Sequence, residues 1–353
     1  MTPRAHSRRG AVAPAGLPVA WRSMTPSGDQ VRFAGLDTPF APLGVGTWAW
    51  GDKSTWGMGG YDATLTEATI AEAWEASIAA GVTLFDTAEV YGGGESERII
   101  GRLLASSGVD GDRLVIATKF MPAPWKLDVG KALRRAALAS LDRLGIERID
   151  LYQLHGPVSL RSHRALADAL AAVVDEGLVA AVGVSNYSAR ETESIHAALA
   201  QRNVALATNQ IELSLLRRRP ENVGLLDTCR RLGVVPLAYS PIGQGRLTGK
   251  YSAANPPPGN RDFSAHPWEK IDPIVAELRS LGETHDGRTP SQVALRWLIQ
   301  KGAVPIPGAK NARQAGDNAG ALGWALTPDE MDRLDAVALD GTTSLKHRFW
   351  QHG

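Results

Sequence analysis

Four residues of the chain have side chains that hold or move protons, and each falls where a short apolar run stops. Asp86 lies at the end of VTLFDT (82–87), Lys119 at the end of LVIATKF (114–120), His155 closes DLYQLH (150–155), and Tyr91 follows Asp86 at the head of YGGG. If these runs are neighbouring parallel strands, the four groups converge at one end of a sheet. Burial of Asp86 and Lys119 is tolerable only as a pair, because an isolated buried charge costs roughly several kcal/mol. An ammonium beside Tyr91 favours the phenolate and is expected to lower the phenol from its usual pKa of about 10. Tyr91 then yields a proton near neutral pH while His155 orients a carbonyl oxygen by a hydrogen bond. Such a group protonates an oxygen while something else attacks the carbon. Taken singly, each residue has an ordinary use: a cap, a surface lysine, a core histidine, a rim aromatic. The combination at adjacent strand ends carries the reading.

These positions need a frame. Eight short apolar, β-branched segments recur at 42–48, 82–87, 114–120, 150–155, 180–186, 205–212, 234–240 and 303–308, with segments of helical period between them. Residues 67–80 carry Ile70, Trp74 and Ile78 four apart with Gly81 as a stop, and 162–176 carries Leu166, Leu170, Val173 and Val174 on one face before Gly177. Capping boxes open two later helices, at Thr289 with Gln292 and at Thr327 with Glu330. Eight units without a break in composition predict an α/β fold, a (β/α)8 TIM barrel, over a doubly wound sheet. A short hairpin at 31–40 is expected to close the barrel bottom. The longest loops follow strand 1 (48–66) and strand 7 (240–266), on the side where a barrel keeps its active site. Trp48, Trp50, Trp56, Met121 and Trp125, on loops after strands 1 and 3, are the expected substrate wall, apolar and suited to aromatic or bulky groups; packing of the tryptophans onto the barrel is the competing reading.

With 38 Lys+Arg against 37 Asp+Glu among 353 residues, the formal net charge is +1, and no long block of one sign offers a footprint for nucleic acid or an anionic membrane. A small ligand is the expected partner. The single cysteine, Cys229, can form neither an internal disulfide nor a thiolate metal site, so no metal is expected and a reducing cytoplasm fits. No apolar stretch approaches the ~20 residues that span a bilayer. Residues 1–28, with Arg4, Arg8, Arg9 and several prolines, read as a disordered extension with Met24 as an alternative start, leaving 29–353 as one barrel domain.

IPGAKNARQAGDN (306–318) ends strand 8, turns at Gly308 and enters a helix near Asn311, with Gln314 in capping-box position. A helix N-terminus beside Lys310 is a natural anion site, and the end of strand 8 is a frequent phosphate site in barrels. A cofactor phosphate is the expected occupant, with a plain helix cap as the alternative.

At this point FDTAEVYGGGESE, ATKF, LYQLHG, GVSNY, NQIELS, YSPIGQGRLTGKY and IPGAKNARQAGDN, in this order, resemble the aldo-keto reductase superfamily over about residues 31–340. The resemblance implies a (β/α)8 barrel and an NADPH-linked carbonyl reductase, with Asp86, Tyr91, Lys119 and His155 as the proton-relay group. It implies that Ser185, Asn186 and Gln210 hold the nicotinamide carboxamide and that the nicotinamide stacks on Tyr239. Ser240, Pro241, Ile242, Gly243, Gly245 and Leu247 would cover the pyrophosphate, and Gly308, Lys310, Gln314, Asp317 and Asn318 would meet the adenosine end. Lys250 and Arg261 are further phosphate candidates, and Gly46, Thr47 and Trp48 would lie beside the cofactor, as would Asp86. The best-known branch has Lys-Ser after the strand-8 proline and an arginine six positions after that lysine; here Gly308, Ala309 and Gln314 stand there. That resembles the branch of plant and bacterial reductases and potassium-channel β subunits, and it leaves Lys310 to recognise the 2′-phosphate and prefer NADPH over NADH. No GxGxxG opens a βαβ unit, which removes a Rossmann reading.

Three functions are weighed. A reductase would pass hydride from NADP(H) to an aldehyde or ketone, reversibly, with the proton from Tyr91. A binding protein would keep NADPH as a sensor or in an auxiliary subunit. A Schiff-base aldolase would use Lys119 but leave the cofactor motifs unexplained. A monomer or small homo-oligomer is expected.

Overall fold

Runs of β-branched and apolar residues pair in chain order as eight parallel strands: β1 (Gly44–Gly46), β2 (Leu84–Asp86), β3 (Val115–Phe120), β4 (Ile149–Leu154), β5 (Val179–Ser185), β6 (Leu206–Glu212), β7 (Val235–Tyr239) and β8 (Val304–Pro305). The computed structural model that shows this describes residues 30–51, 65–258, 263–342 and 349–353. Trp56, Arg261 and the segment 1–28 lie outside the described residues. Helices between and after the strands are α1 (Glu67–Ala79), α2 (Glu95–Ser106), α3 (Val129–Leu144), α4 (His163–Asp175), α5 (Ala189–Ala200), α6 (Arg219–Asn222), α7 (Leu225–Leu232), α8 (Trp268–Thr284), α9 (Pro290–Gln300), α10 (Ala312–Ala319) and α11 (Pro328–Val337). The predicted (β/α)8 barrel is therefore present. Among the described residues no helix is long and apolar enough to cross a membrane.

Strand alternation divides the apolar side chains into two cores. Leu84, Val115, Ala117, Leu151, Ala181, Ala207, Leu237 and Val304 fill the barrel interior, while Phe85, Ile116, Phe120, Tyr152, Val182 and Val184 pack outward with the helices. The hairpin expected at the bottom is present: Val31 and Phe40 exchange backbone hydrogen bonds of 2.8 and 3.0 Å. Its Phe33 and Phe40, ring centroids 4.6 Å apart, join Leu36 in the interior core as a floor. Each buried phenyl contributes roughly 1.5–3 kcal/mol.

Three strands are much shorter than the sequence predicts; β2 covers three residues rather than 82–87. β8 covers two residues rather than 303–308 because Pro305 and Pro307 have no N–H to donate. Ile306, between them, donates to Ala238 at 3.0 Å, and the ring closes through a single parallel bridge, Gly46 with Gly308, in which the Gly46 amide donates to Pro307 at 3.0 Å. β1 is correspondingly three residues rather than 42–48. The helices follow their signals. α1 starts at a capping box on Thr66, α4 at Ser162, and the boxes on Thr289 and Thr327 open α9 and α11.

Candidate active site at the C-terminal mouth

The pleat that turns Leu84 inward turns Asp86 inward one layer higher, and the same two-residue step places Lys119 above Ala117 and Gln153, then His155, above Leu151. The interior thus changes from apolar to polar towards the mouth. Lys119 Nζ donates to Asp86 Oδ2 at 2.5 Å and to the Thr87 carbonyl at 2.8 Å, and lies 3.4 Å from Tyr91 Oη. Asp86 Oδ1 accepts from Gln210 Nε2 at 2.9 Å and Gln153 Nε2 at 3.2 Å, and Gln153 Oε1 accepts from Thr208 Oγ1 at 3.2 Å. The Tyr91 and His155 ring centroids are 5.7 Å apart, nearly perpendicular. All four proton-handling groups picked out in the sequence are therefore within one cluster.

The glycine triplet after Tyr91 has a local reason. Gly92, Gly93 and Gly94 have φ of 56°, 64° and 89°, the left-handed region that side chains resist, and a Cβ on Gly92 would stand 2.6 Å from the Gly51 carbonyl oxygen. This turn swings Tyr91 back over the strand ends and feeds α2. Behind it, buried Glu97 accepts from Thr118 Oγ1 and Arg143 Nε, both at 2.6 Å, tying α2 to β3 and α3.

The electrostatics depart from the expectation for Tyr91. Burial, and next the charge of Asp86, push its phenol well above 10 rather than below. Lys119 does not reverse this because its charge is engaged at 2.5 Å by Asp86, with the phenol 3.4 Å away. Burial also lowers Lys119 itself, opposed by Asp86. His155 falls well below 6.5, from burial and then from Lys119, so at neutral pH it is an uncharged imidazole. Its Nδ1 is buried without a hydrogen-bond partner among the described residues. A bare acceptor is cheaper to leave there than an N–H, which favours the tautomer with its proton on Nε2.

The residues expected to hold a cofactor line an arc of the same mouth. Asn186, at φ 64°, donates to Ser185 Oγ at 3.3 Å, and Ser185 Oγ donates to the Gln210 carbonyl at 2.9 Å. Tyr239 closes β7 and donates to Asn186 Oδ1 at 3.0 Å. Beyond it the chain passes Pro241 and Ile242 within a run of left-handed residues, Ser240, Gly243, Gln244 and Gly245, of the kind that forms anion-binding concavities. The Leu247 side chain is wholly buried in the core. Lys250 Nζ lies 5.4 Å over the Tyr251 ring.

At α10, Asn311 Oδ1 caps the Gln314 amide at 3.0 Å, but Gln314 Oε1 accepts from the Lys310 amide, so no capping box forms. Asn318 donates to the Gly308 carbonyl at 3.2 Å, and Asp317 accepts from Thr289 Oγ1 at 3.0 Å, binding α10 to α9. Gly46 lies against β8, where a Cβ would be 2.7 Å from the Ile306 carbonyl oxygen, and Thr47 is buried. Amides and hydroxyls beside the proton-handling group, an aromatic platform, a left-handed turn and a lysine at a helix N-terminus form a donor set that suits a phosphorylated dinucleotide.

The expected substrate wall separates. Trp48 meets Phe263 edge-on at 6.1 Å, and Phe263 meets Tyr239 at 5.6 Å, an aromatic row joining the two long loops. Met121 is partly exposed, its amide held by Glu89 Oε1 at 2.8 Å, and Trp125 is 79 % exposed. Trp50 is corrected: it is 0 % exposed, donates from Nε1 to the Ala309 carbonyl at 2.8 Å and packs on Phe85, so it is core.

Several site residues escape the sequence reading. Gln153 could have been found by stepping back two residues from His155 on the same strand face. Phe263 carries no such signal, and neither does the C-terminal FWQHG (349–353). Trp350 lies edge-on to His155 at 5.5 Å and lies so close over Gly156 that a Cβ there would be 2.9 Å from its ring. Gln351 Nε2 donates to Tyr239 Oη at 2.8 Å and to Glu212, and the His352 amide donates to the Asn186 carbonyl at 3.1 Å.

Comparison with known proteins identifies the family. A model of the Aldo/keto reductase family matches residues 42–339. The chain is 37% identical over 349 residues to the chloroplastic pyridoxal reductase of Arabidopsis thaliana, covering 96% of this chain and 92% of that one. It is 36% identical over 303 residues to an uncharacterized oxidoreductase of Mycobacterium tuberculosis, covering 84% and 88%. Among solved structures, the glycerol dehydrogenase of Gluconobacter oxydans superposes with a TM-score of 0.74 at 29% identity, covering 90% of this chain and 98% of that one. An aldo-keto reductase of Klebsiella pneumoniae in complex with NADPH gives 0.68 at 26%, covering 89% and 96%.

Proposed function

The chain belongs to the aldo/keto reductase family and is an oxidoreductase; on that premise we propose that it is an NADPH-dependent reductase of aldehydes or ketones, working reversibly. The observation that carries this is the buried cluster in which Lys119 Nζ touches Asp86 Oδ2 at 2.5 Å and faces Tyr91 Oη at 3.4 Å beside the His155 ring. When bound, NADPH supplies the hydride. Tyr91, a neutral phenol at physiological pH, donates its proton to the substrate oxygen. Lys119 stabilises the phenolate that remains, and Asp86 keeps Lys119 charged against burial. His155, uncharged, orients the carbonyl through an Nε2–H hydrogen bond.

The aromatic row Trp48, Phe263 and Tyr239 favours flat substrates, and the relatedness to a pyridoxal reductase makes an aldehyde on an aromatic or heteroaromatic ring the first class to try. Buried Cys229 fits work in a reducing cytoplasm. Residues 29–353 act as one barrel domain, in a monomer or small homo-oligomer.

The test follows absorbance loss of NADPH, and separately NADH, over pyridoxal and an activated aromatic aldehyde, for wild type and Tyr91→Phe. Turnover by wild type with a Tyr91→Phe protein that binds NADPH yet hardly reacts is the expected result. Tight NADPH binding with no reduction of any carbonyl in a broad panel would overturn the reading in favour of a sensor or auxiliary subunit.

A further inference from the structure

The C-terminal residues grip the part of the mouth assigned to the nicotinamide. Tyr239 Oη has two partners: it donates to Asn186 Oδ1 at 3.0 Å and accepts from Gln351 Nε2 at 2.8 Å. Gln351 is itself held, because its Nε2 also donates to Glu212, and Glu212 accepts from Ser264 Oγ at 2.7 Å. The neighbouring residues fix the segment on both sides. The His352 amide donates to the Asn186 carbonyl at 3.1 Å, its ring meets Glu191 at 2.8 Å, and Arg217 donates to the Gly353 carbonyl at 2.7 Å. Gln351 and Gly353 are buried while Trp350 caps His155.

A tyrosine side chain turns about two torsions, and a hydroxyl held by two partners restrains both. We propose that Gln351 is a positioning residue: through the Tyr239 hydroxyl it fixes the ring on which the nicotinamide stacks. This rests on the proposed NADPH-dependent function. The tail is placed to act on the nicotinamide half of the cofactor, because the partners of Gln351, His352 and Gly353 are Tyr239, Glu212, Asn186, Glu191 and Arg217, whereas Lys310, Gln314 and Asn318 lie on and before α10. The consequence is an affinity effect selective for one half of the dinucleotide.

The experiment measures dissociation constants for NADPH and for 2′-phospho-ADP-ribose, which lacks nicotinamide, in wild type, Gln351→Leu, Tyr239→Phe and the double variant. Gln351→Leu is expected to weaken NADPH about 5- to 10-fold, the loss of roughly one hydrogen bond, and to leave 2′-phospho-ADP-ribose within 2-fold. In the Tyr239→Phe background, which has no hydroxyl to hold, the same substitution should cost nothing further. Equal weakening of both ligands, no weakening of either, or the same NADPH loss in both backgrounds would overturn the inference; the last would place the effect on Glu212. A wild type that binds neither ligand would overturn the NADPH-dependent function, and the inference with it.

Discussion

Asp86→Asn should separate what the buried pair does for the fold from what it does for chemistry. In the native site Oδ1 accepts from two glutamine amides and Oδ2 accepts from Lys119. An asparagine that keeps its oxygen towards Gln153 and Gln210 turns an N–H2 donor onto the Lys119 ammonium, and the flipped asparagine turns it onto the glutamines. Lys119, 0 % exposed, is then a buried charge without its counter-ion, which costs about 3–5 kcal/mol. At about 2.1 cal/mol/K of unfolding entropy per residue, 353 residues give roughly 0.7 kcal/mol/K, so Tm should fall by about 4–7 °C. Activity should fall further than stability. An ammonium 3.4 Å from Tyr91 Oη is worth at most about 5 kcal/mol to the phenolate at an effective dielectric of 20, a gross attraction that the charge of Asp86 offsets in part, so deprotonation of Lys119 costs up to roughly 10³-fold in rate. The companion Asp86→Asn/Lys119→Met puts a thioether against the asparagine N–H2 and leaves Oδ1 accepting from both glutamines. It should regain at least half of the lost Tm, by differential scanning calorimetry, and remain as inactive as the single variant in the NADPH absorbance assay. A double variant that regained activity, or an Asp86→Asn protein with native Tm and native kcat, would refute the reasoning.

Carbonyl reduction should be flat in kcat through pH 6.5 and neutral pH, with its alkaline limb set by Lys119, whose ammonium burial lowers from 10.5. His155 is depressed and so charges only well below its usual range, and Tyr91 is raised and so loses its donor proton only above 10; alcohol oxidation should rise with pH, and a limb near pH 7 would assign the proton to another group. Lys310→Ala should weaken NADPH about 10- to 100-fold, a lost charge-assisted hydrogen bond, and leave NADH within about 2-fold by fluorescence titration. Equal losses would remove Lys310 from the 2′-phosphate. Gly183→Ala should lower Tm by about 1–4 °C, since its Cβ would stand 2.0 Å from Thr208 Oγ1 and 3.0 Å from Gln153 Cγ, an overpacking cost of about 1–3 kcal/mol. Adding Thr208→Ala should restore most of that.

The barrel is legible because eight short apolar, β-branched runs recur with segments of helical period between them, and the hairpin because Phe33 and Phe40 flank a turn at Gly35 and meet. Asp86, Lys119 and His155 are legible in turn: a strand end in a parallel barrel has one destination. What is not legible depends on depth and on distant partners. Sequence shows that Lys119 and Tyr91 are neighbours but not that Asp86 engages the ammonium at 2.5 Å and that burial raises the phenol. Trp48 and Trp50 look alike in the chain, yet one meets Phe263 and the other bonds Ala309, 259 positions away. Gln351 reaches Glu212 from 139 positions away, and five residues without period announce nothing.

The prolines of β8 give the ring one soft joint. Where every other neighbouring pair of strands shares a registered ladder, the backbones of β1 and β8 pair at the Gly46–Gly308 bridge, with the bond from Trp50 Nε1 to the Ala309 carbonyl beside it. Local opening starts where backbone bonds are fewest, so the Gly46 amide should exchange its hydrogen faster than the amides of β3 to β6. The joint divides Thr47 and Trp48 from Lys310 and α10, the two banks between which the far half of a dinucleotide would lie. Opening there would part these two banks first, while Lys119 and His155, on and just after β3 and β4, keep the registered ladders on either side of them.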